Sequence, residues 1–217
     1  LATLAMLSLR IRMRISMAND RLIITRRGFG IGLVGGAAAL ALPASALTVD
    51  QARTLVGKAV ADVNRTINSG RSAAAMHGDF ERIFRTYADV PTIARSALGP
   101  AARSASAAQL SAFTTAYQAY ISRKYGARFR EFIGGQIEVT GARAVKSYFE
   151  VISVAKLRGQ SPFDLRWHVS DKSGKDLFFN IIIEGVNMLA SERTEIGAML
   201  DRRRGDINGL IADLKKA

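Results

Sequence analysis

Phe163-Asp164-Leu165-Arg166-Trp167-His168-Val169-Ser170 alternates apolar and polar without a break. Phe163, Leu165, Trp167 and Val169 fall on one face and Asp164, Arg166, His168 and Ser170 on the other, the period of a half-buried strand. Asp171-Lys172-Ser173-Gly174 follows as a tight turn, and segment 176–184 beyond it is again rich in β-branched and aromatic residues. So short a connection joins antiparallel neighbours, because a parallel pair needs a crossover of about a dozen residues or more. Upstream, 136–145 and 147–157 have the same character, and Gly134-Gly135 marks where the period changes. The expectation is a mostly antiparallel sheet of about four strands.

Helical patterns flank these strands. Thr48-x-x-Gln51 has capping-box form, and Val49, Ala52, Leu55, Val56, Ala59, Val60, Val63 and Ile67 follow at helical spacing, ending near Ser69-Gly70. A shorter helix is expected over 78–87, with His77 in a Met-His-Gly loop before it. Asp89-Val90-Pro91 opens another and Leu98-Gly99-Pro100 stops it. Ser106-x-x-Gln109 opens the longest helix, read as far as Phe132. After Gly185 the helical period returns to about Arg203, and a last short helix covers 206–215. One α+β domain is the economical organisation for residues 47–217.

Residues 1–46 read as an export leader. Arg26 and Arg27 precede the uncharged stretch Gly28–Leu42, and Ala44-Ser45-Ala46 supplies a small-residue cleavage site. Thr25-Arg26-Arg27-Gly28-Phe29 with a glycine-rich apolar stretch points to the twin-arginine route. Leu1 is an odd first residue, and Met17 would start a leader of more usual length. Gly30-x-Gly32-x-x-Gly35 matches the dinucleotide fingerprint, but no strand precedes it and no βαβ unit surrounds it. Gly28–Leu47 is about long enough to cross a bilayer; its glycines and the Ala-Ser-Ala site favour cleavage over a retained anchor.

The 217 residues carry 31 basic against 18 acidic side chains, no cysteine and two histidines. Six arginines and one aspartate belong to the leader, so residues 47–217 hold 25 basic and 17 acidic residues, a charge of +8. No disulfide, thiolate metal site or cysteine nucleophile is available, and His-Glu-x-x-His, Gly-x-Ser-x-Gly, Walker and EF-hand patterns are missing. His168 reads as a solvated strand residue. Glu184, between a strand and Gly185, is the carboxylate whose position draws attention, with a structural hydrogen bond its simpler role. Arg202-Arg203-Arg204 offsets a helix dipole more simply than it binds phosphate, and no aromatic follows Phe179 to stack bases. Composition favours a binder over an enzyme.

Fifteen of the sixteen aromatics lie between Phe80 and Phe179. The helix from Ser106 carries Phe113, Tyr117, Tyr120, Tyr125, Phe129 and Phe132, too many for one narrow stripe. Segment 176–184 is apolar on both faces, with Leu177, Phe179, Ile181 and Ile183 on one and Phe178 and Ile182 on the other. Pattern alone leaves two readings open: an ordinary core covered by helices, or a surface lining a cavity for an apolar ligand.

Several segments resemble one family. Asp89-Val90-Pro91-Thr92-Ile93-Ala94-Arg95-Ser96-Ala97-Leu98-Gly99 is similar to the Asp…Ile-Ala…Leu-Gly segment of MlaC proteins, the periplasmic phospholipid carriers also called toluene-tolerance proteins. Phe113–Phe129 resembles their long helix. Ile182-Ile183-Glu184-Gly185-Val186-Asn187-Met188-Leu189, with Glu192-Arg193 and Arg203-Arg204-Gly205-Asp206, resembles their closing segment. The chain departs from the family pattern at Ala102, where Trp is common, at Asn180, where Asp is common, and at Asn187, where Ser is common.

The resemblance implies an NTF2-like α+β fold, with an apolar pocket between a curved sheet and N- and C-terminal helices. It implies acyl tails inside, a headgroup near the mouth, and no reaction, cofactor or metal. The partners it implies are a phospholipid, an inner-membrane ABC transporter with an MCE-domain subunit, and an outer-membrane lipoprotein complex, served by a soluble periplasmic monomer that does not bind nucleic acid. A hopanoid or other polycyclic lipid is the nearest alternative ligand. A small-ligand enzyme on the same scaffold, using Glu184 or His168, and a groove for a partner helix are the other function classes. On periodicity, Tyr117, Tyr120, Ile121, Tyr125, Val151, Trp167, Phe179, Ile181, Val186 and Met199 are expected to line the pocket. Arg95, Arg123 and Lys124 are candidates for headgroup or partner contacts.

Overall fold

The computed structural model describes residues 46–126 and 131–217. The leader read over residues 1–46, apart from Ala46, lies outside the described residues, as does Phe129. Among the described residues, six α-helices and five strands follow one another as helices α1 to α4, strands β1 to β5 and helices α5 and α6.

Local chemistry sets the helix ends. α1 (Val49–Ile67) begins at the expected capping box: the Gln51 N–H donates to Thr48 Oγ1 at 3.2 Å and the Thr48 N–H to Gln51 Oε1 at 2.8 Å. α2 (Ala73–Tyr87) begins ahead of the expected residue 78. Ser72 caps it, accepting from the Ala75 N–H at 3.3 Å, and Ala73-Ala74-Ala75 has high helix propensity without an apolar stripe to read. His77 therefore belongs to a helix, not to a loop. Asp89 caps α3 (Val90–Leu98) through the Thr92 N–H at 3.1 Å, with Pro91 in the first turn. A 3-10 turn, Gly99–Arg103, follows it.

The Ser106–Gln109 pair opens α4 (Ala107–Gly126) with reciprocal bonds of 3.0 and 3.1 Å. α4 is described as far as Gly126, and Phe132, the expected end of this helix, lies in a 3-10 turn ahead of Gly134; residues 127–130 lie outside the described residues.

β1 (Gln136–Val145), β2 (Tyr148–Lys156), β3 (Phe163–Ser170), β4 (Leu177–Ile183) and β5 (Val186–Asn187) form one antiparallel meander in that order. The fifth strand, two residues long, is too short to show a period in sequence. It is folded back by Glu184-Gly185, whose φ values of +49° and +80° are those of the tight hairpin turns that suit strand twist. α5 (Met188–Arg202) and α6 (Ile207–Lys216) complete the chain. Asn187 caps α5 through the Ala190 N–H at 3.1 Å, a role that serine fills equally well.

Register assigns the faces. Val151, Trp167 and Ile181 stand opposite one another across β2, β3 and β4, as do Ser153, Leu165 and Ile183. Between His168 and Val169 the pairing slips, so that Val169 meets Phe178 while His168 meets Asn180, leaving Phe179 as the extra residue of a bulge. This corrects the alternation expected for β4. Phe178 turns inward, its ring 5.2 Å from Trp167, whereas Phe179 stands 5.8 Å from both Tyr148 and His168. A second bulge leaves Thr140 unpaired in β1. Bulges bend a strand and increase its twist.

The helices pack on the Trp167 face. α1 buries Ala52, Val56, Ala59, Val60, Val63 and Ile67 against β1 and β2. Asn64 fixes this helix to the free edge of β1: its amide donates to Ile137 O at 2.8 Å and accepts from the Ile137 N–H at 2.9 Å. The upper edge of β4, beyond the reach of β5, is covered where the Asp89 N–H donates to Phe178 O at 2.8 Å. Leu210 and Leu214 of α6 are fully buried where that helix packs on α4. Among the described residues no helix is long and apolar enough to cross a membrane.

Candidate functional site

Sheet and helices do not close completely on one another. Between them is a cavity of about 600 Å³, within the usual range for small-ligand sites. α1 gives it Ala59 and Val63, α2 gives Phe80, Ile83 and Phe84, and α3 gives Ile93. The floor comes from Leu165 and Trp167 of β3 and from Phe178, Ile181 and Ile183 of β4. α4 and the start of α5 close the far side with Tyr117, Ile121, Ser122, Tyr125, Leu189 and Glu192. Exposed Glu131, Gln160, Glu184 and Val186 border the opening, and Val186 is 54% exposed. The space exists because small or flat residues occupy key wall positions. Ala59 projects one methyl, and the Trp167 ring is held against the floor by a hydrogen bond from Nε1–H to Ser153 Oγ at 2.7 Å.

Seven of the ten residues expected around a pocket border this cavity: Tyr117, Ile121, Tyr125, Trp167, Phe179, Ile181 and Val186. Three do not. Val151 is fully buried beneath Trp167 in the packed core. Met199 packs half-buried on the core beside Ile196 and Leu200. Tyr120, one helical step from Tyr117, turns its hydroxyl to donate to Glu195.

The three cations proposed for a headgroup are also elsewhere. Arg95 is exposed beside a separate surface hollow between α3 and α4. Arg123 donates to Leu214 O at 2.5 Å and Ala217 O at 2.7 Å, satisfying the last carbonyls of α6. Lys124 bridges α4 to α5 through Glu192 at 2.7 Å and Glu195 at 2.5 Å. A further cation that sequence did not single out is Arg158. Its guanidinium lies over Gly134, so close that a Cβ there would meet it at 2.6 Å. Gly134 has φ +75°, so the turn requires glycine. Arg158 directly follows the cavity-lining Leu157.

Electrostatically, the α4–α5 bridge dominates. Burial lowers the tendency of Lys124 to stay charged, but the hydrogen bonds it donates to both carboxylates outweigh it and raise its pKa. Burial pushes Glu195 up, yet bonds from Lys124 and Tyr120 together hold it below the ordinary carboxylate value. Burial and then Glu195 push the Tyr120 phenol up to about 12; burial and then Glu192 raise Tyr117 and Tyr125. Glu192, buried in the cavity wall, escapes a sequence reading because its partner Lys124 is distant in the chain.

His168 and Glu184, the two acid–base candidates, lie in different surroundings. His168 lies on the outer sheet face, 3.7 Å from Glu150 and 4.4 Å from the Tyr148 ring. It is half-buried instead of solvated, and burial lowers its pKa despite Glu150. Glu184 is exposed at the opening, and the structural bond found there is from its backbone N–H to Asp164 O at 3.1 Å. Among the described residues no three His, Cys, Asp or Glu side chains are grouped to hold a metal.

Fold and site define an α+β domain in which a single meander sheet and its helices enclose an open apolar chamber. The chain belongs to the MlaC family: the family described as MlaC protein matches residues 57–216. A solved structure of a phospholipid-binding protein from Ralstonia solanacearum, in complex with a phospholipid, superposes with a TM-score of 0.65 at 19% identity. The match covers 76% of this chain and 95% of that one, and shows that the two share a fold.

Proposed function

We propose that this protein is a lipid carrier, exported by its leader to the periplasm, that holds phospholipid acyl chains in the cavity beneath its sheet. The carrying observation is the cavity itself, an apolar space of about 600 Å³ open at the surface of a folded domain. Family membership and the fold shared with a lipid-bound protein support the same reading. A diacyl lipid in water exposes roughly thirty methylenes at about 0.8 kcal/mol each, so passage between membranes requires an escort that covers them. The lining residues Tyr117, Ile121, Tyr125, Trp167, Ile181 and Val186 contact the tails in this reading. Arg158 meets the headgroup phosphate.

Delivery at each end falls to protein partners, an outer-membrane lipoprotein complex and an inner-membrane ABC transporter with an MCE-domain subunit, because loss of both tails into water would be very slow. The chain acts by binding, without catalysing a reaction. Solvent extraction of the exported, purified protein followed by mass spectrometry tests the proposal. About one phospholipid per chain is the expected result. A polycyclic lipid would transfer the reading to the hopanoid alternative, and an extract without lipid would refute it.

A further inference from the structure

One wall of the cavity is polar, and three of its atoms have no hydrogen-bond partner: Tyr117 Oη, Ser122 Oγ and Glu192 Oε2. The residues are 0%, 5% and 4% exposed, and all three line the cavity. Unpaired buried polar atoms are rare in native proteins, so three gathered on one ligand-sized space call for a reason. Tyr117 and Ser122 come from α4 and Glu192 from α5.

The bridge between these helices fixes how the carboxylate is presented. Glu192 Oε1 accepts from Lys124 Nζ at 2.7 Å and from the Tyr125 hydroxyl. That holds the group in place and leaves Oε2 buried without a partner, on a residue that lines the cavity. Lys124 is shared with Glu195, so its ammonium is divided between two carboxylates. A carboxylate oxygen accepts only, while the tyrosine and serine hydroxyls can turn to donate or accept. Such a wall repels a phosphate and welcomes a group bearing hydrogen.

We propose that the cavity contains a recognition point for a hydrogen-bond donor, a hydroxyl or protonated amine, on an otherwise apolar ligand. Glu192 is the acceptor and Tyr117 and Ser122 are the orienting hydroxyls. The inference rests on the lipid-carrier reading and adds the chemistry of the lipid to it.

The test is competition against a fluorescent fatty acid on delipidated protein, with probes in matched pairs. Palmitic acid is compared with its ω-hydroxy derivative, and dioleoyl phosphatidylcholine with dioleoyl phosphatidylethanolamine. The donor-bearing member of at least one pair should bind on the order of tenfold more tightly, the usual worth of a hydrogen bond to a charged group. The pair that discriminates identifies the source, a hydroxyl on the buried chain or an amine on the headgroup. Glu192→Gln and, separately, the double variant Tyr117→Phe/Ser122→Ala should each reduce that preference, read as the ratio of the two affinities within the pair. The double variant leaves every bond of the Lys124 bridge in place, so it remains informative if Glu192→Gln folds poorly. Equal binding within both pairs, or a preference that survives the double variant and Glu192→Gln alike, overturns the inference and leaves the carrier reading standing. Failure of every probe to bind overturns both.

Discussion

Ala59 tests whether the cavity is usable room. It is 1% exposed on α1 and lines the space, so Ala59→Phe sends a ring inward. In lipid-free protein, burying that ring should contribute about 1.5–3 kcal/mol. For a domain of this size each kcal/mol shifts the melting temperature by about 2–4 °C, so a rise of roughly 3–12 °C is expected. A filled core gives the opposite sign, since overpacking costs about 1–3 kcal/mol. The same ring displaces about four methylenes of a bound tail, worth about 0.8 kcal/mol each, or roughly a hundredfold in affinity. Calorimetry on delipidated protein and lipid-to-protein ratio after extraction read the two effects. A melting temperature that falls while lipid content stays unchanged would refute the reasoning, because the wall at Ala59 would then have no space behind it.

Trp167, the single tryptophan, lies on the cavity floor, so phospholipid brominated along its acyl chains should quench its fluorescence and Ile181→Asp should remove the effect; quenching that survives the aspartate contradicts the placement. Lys124→Met leaves Glu192 buried without its cation and, with Lys124 28% exposed, should cost about 2–3 kcal/mol, below the full range for a buried pair. Adding Glu192→Gln should recover at least half of that loss in urea denaturation, whereas simple addition of the two losses would count against the bridge. Burial lowers the pKa of His168 from its ordinary 6.5, so the unfolded chain takes up the proton first. Its contribution to stability is complete above that value and is lost as pH falls through the lowered one. Denaturant midpoints between about pH 6.5 and 5.5 should therefore drop further in the wild type than in His168→Gln; parallel profiles would mean that the imidazole is freely hydrated.

Fold class was legible because the β3–β4 hairpin displays its period openly and the capping residues Thr48, Asp89 and Ser106 stand in full view. Much of the cavity wall was legible as well, since helical spacing from Tyr117 through Ile121 to Tyr125 sets one face toward the sheet. The losses have physical causes. An unpaired residue at Phe179 reverses the phase of β4 midway, which no alternation rule anticipates. Tyr120 and Tyr117 look equivalent in sequence, yet Glu195, far along the chain, draws the Tyr120 hydroxyl aside. The basic side chains chosen for a headgroup were selected for charge alone, whereas Arg123 and Lys124 are consumed by partners on α6 and α5. Contacts of this kind become visible only when the helices are placed side by side.

The slip at Phe179 also gives the sheet unusual tolerance. Elsewhere in a strand, losing one residue carries every following side chain to the opposite surface. Here Phe178 and Ile181 already point the same way across two intervening positions, so removing one of those two would return β4 to plain alternation with both inward sets undisturbed. What would vanish is the local bend, and with it the part of the chamber's outline that the bend creates. Floor composition and floor shape can therefore change independently at this one position, so related chains could reshape the chamber without rewriting the residues that line it.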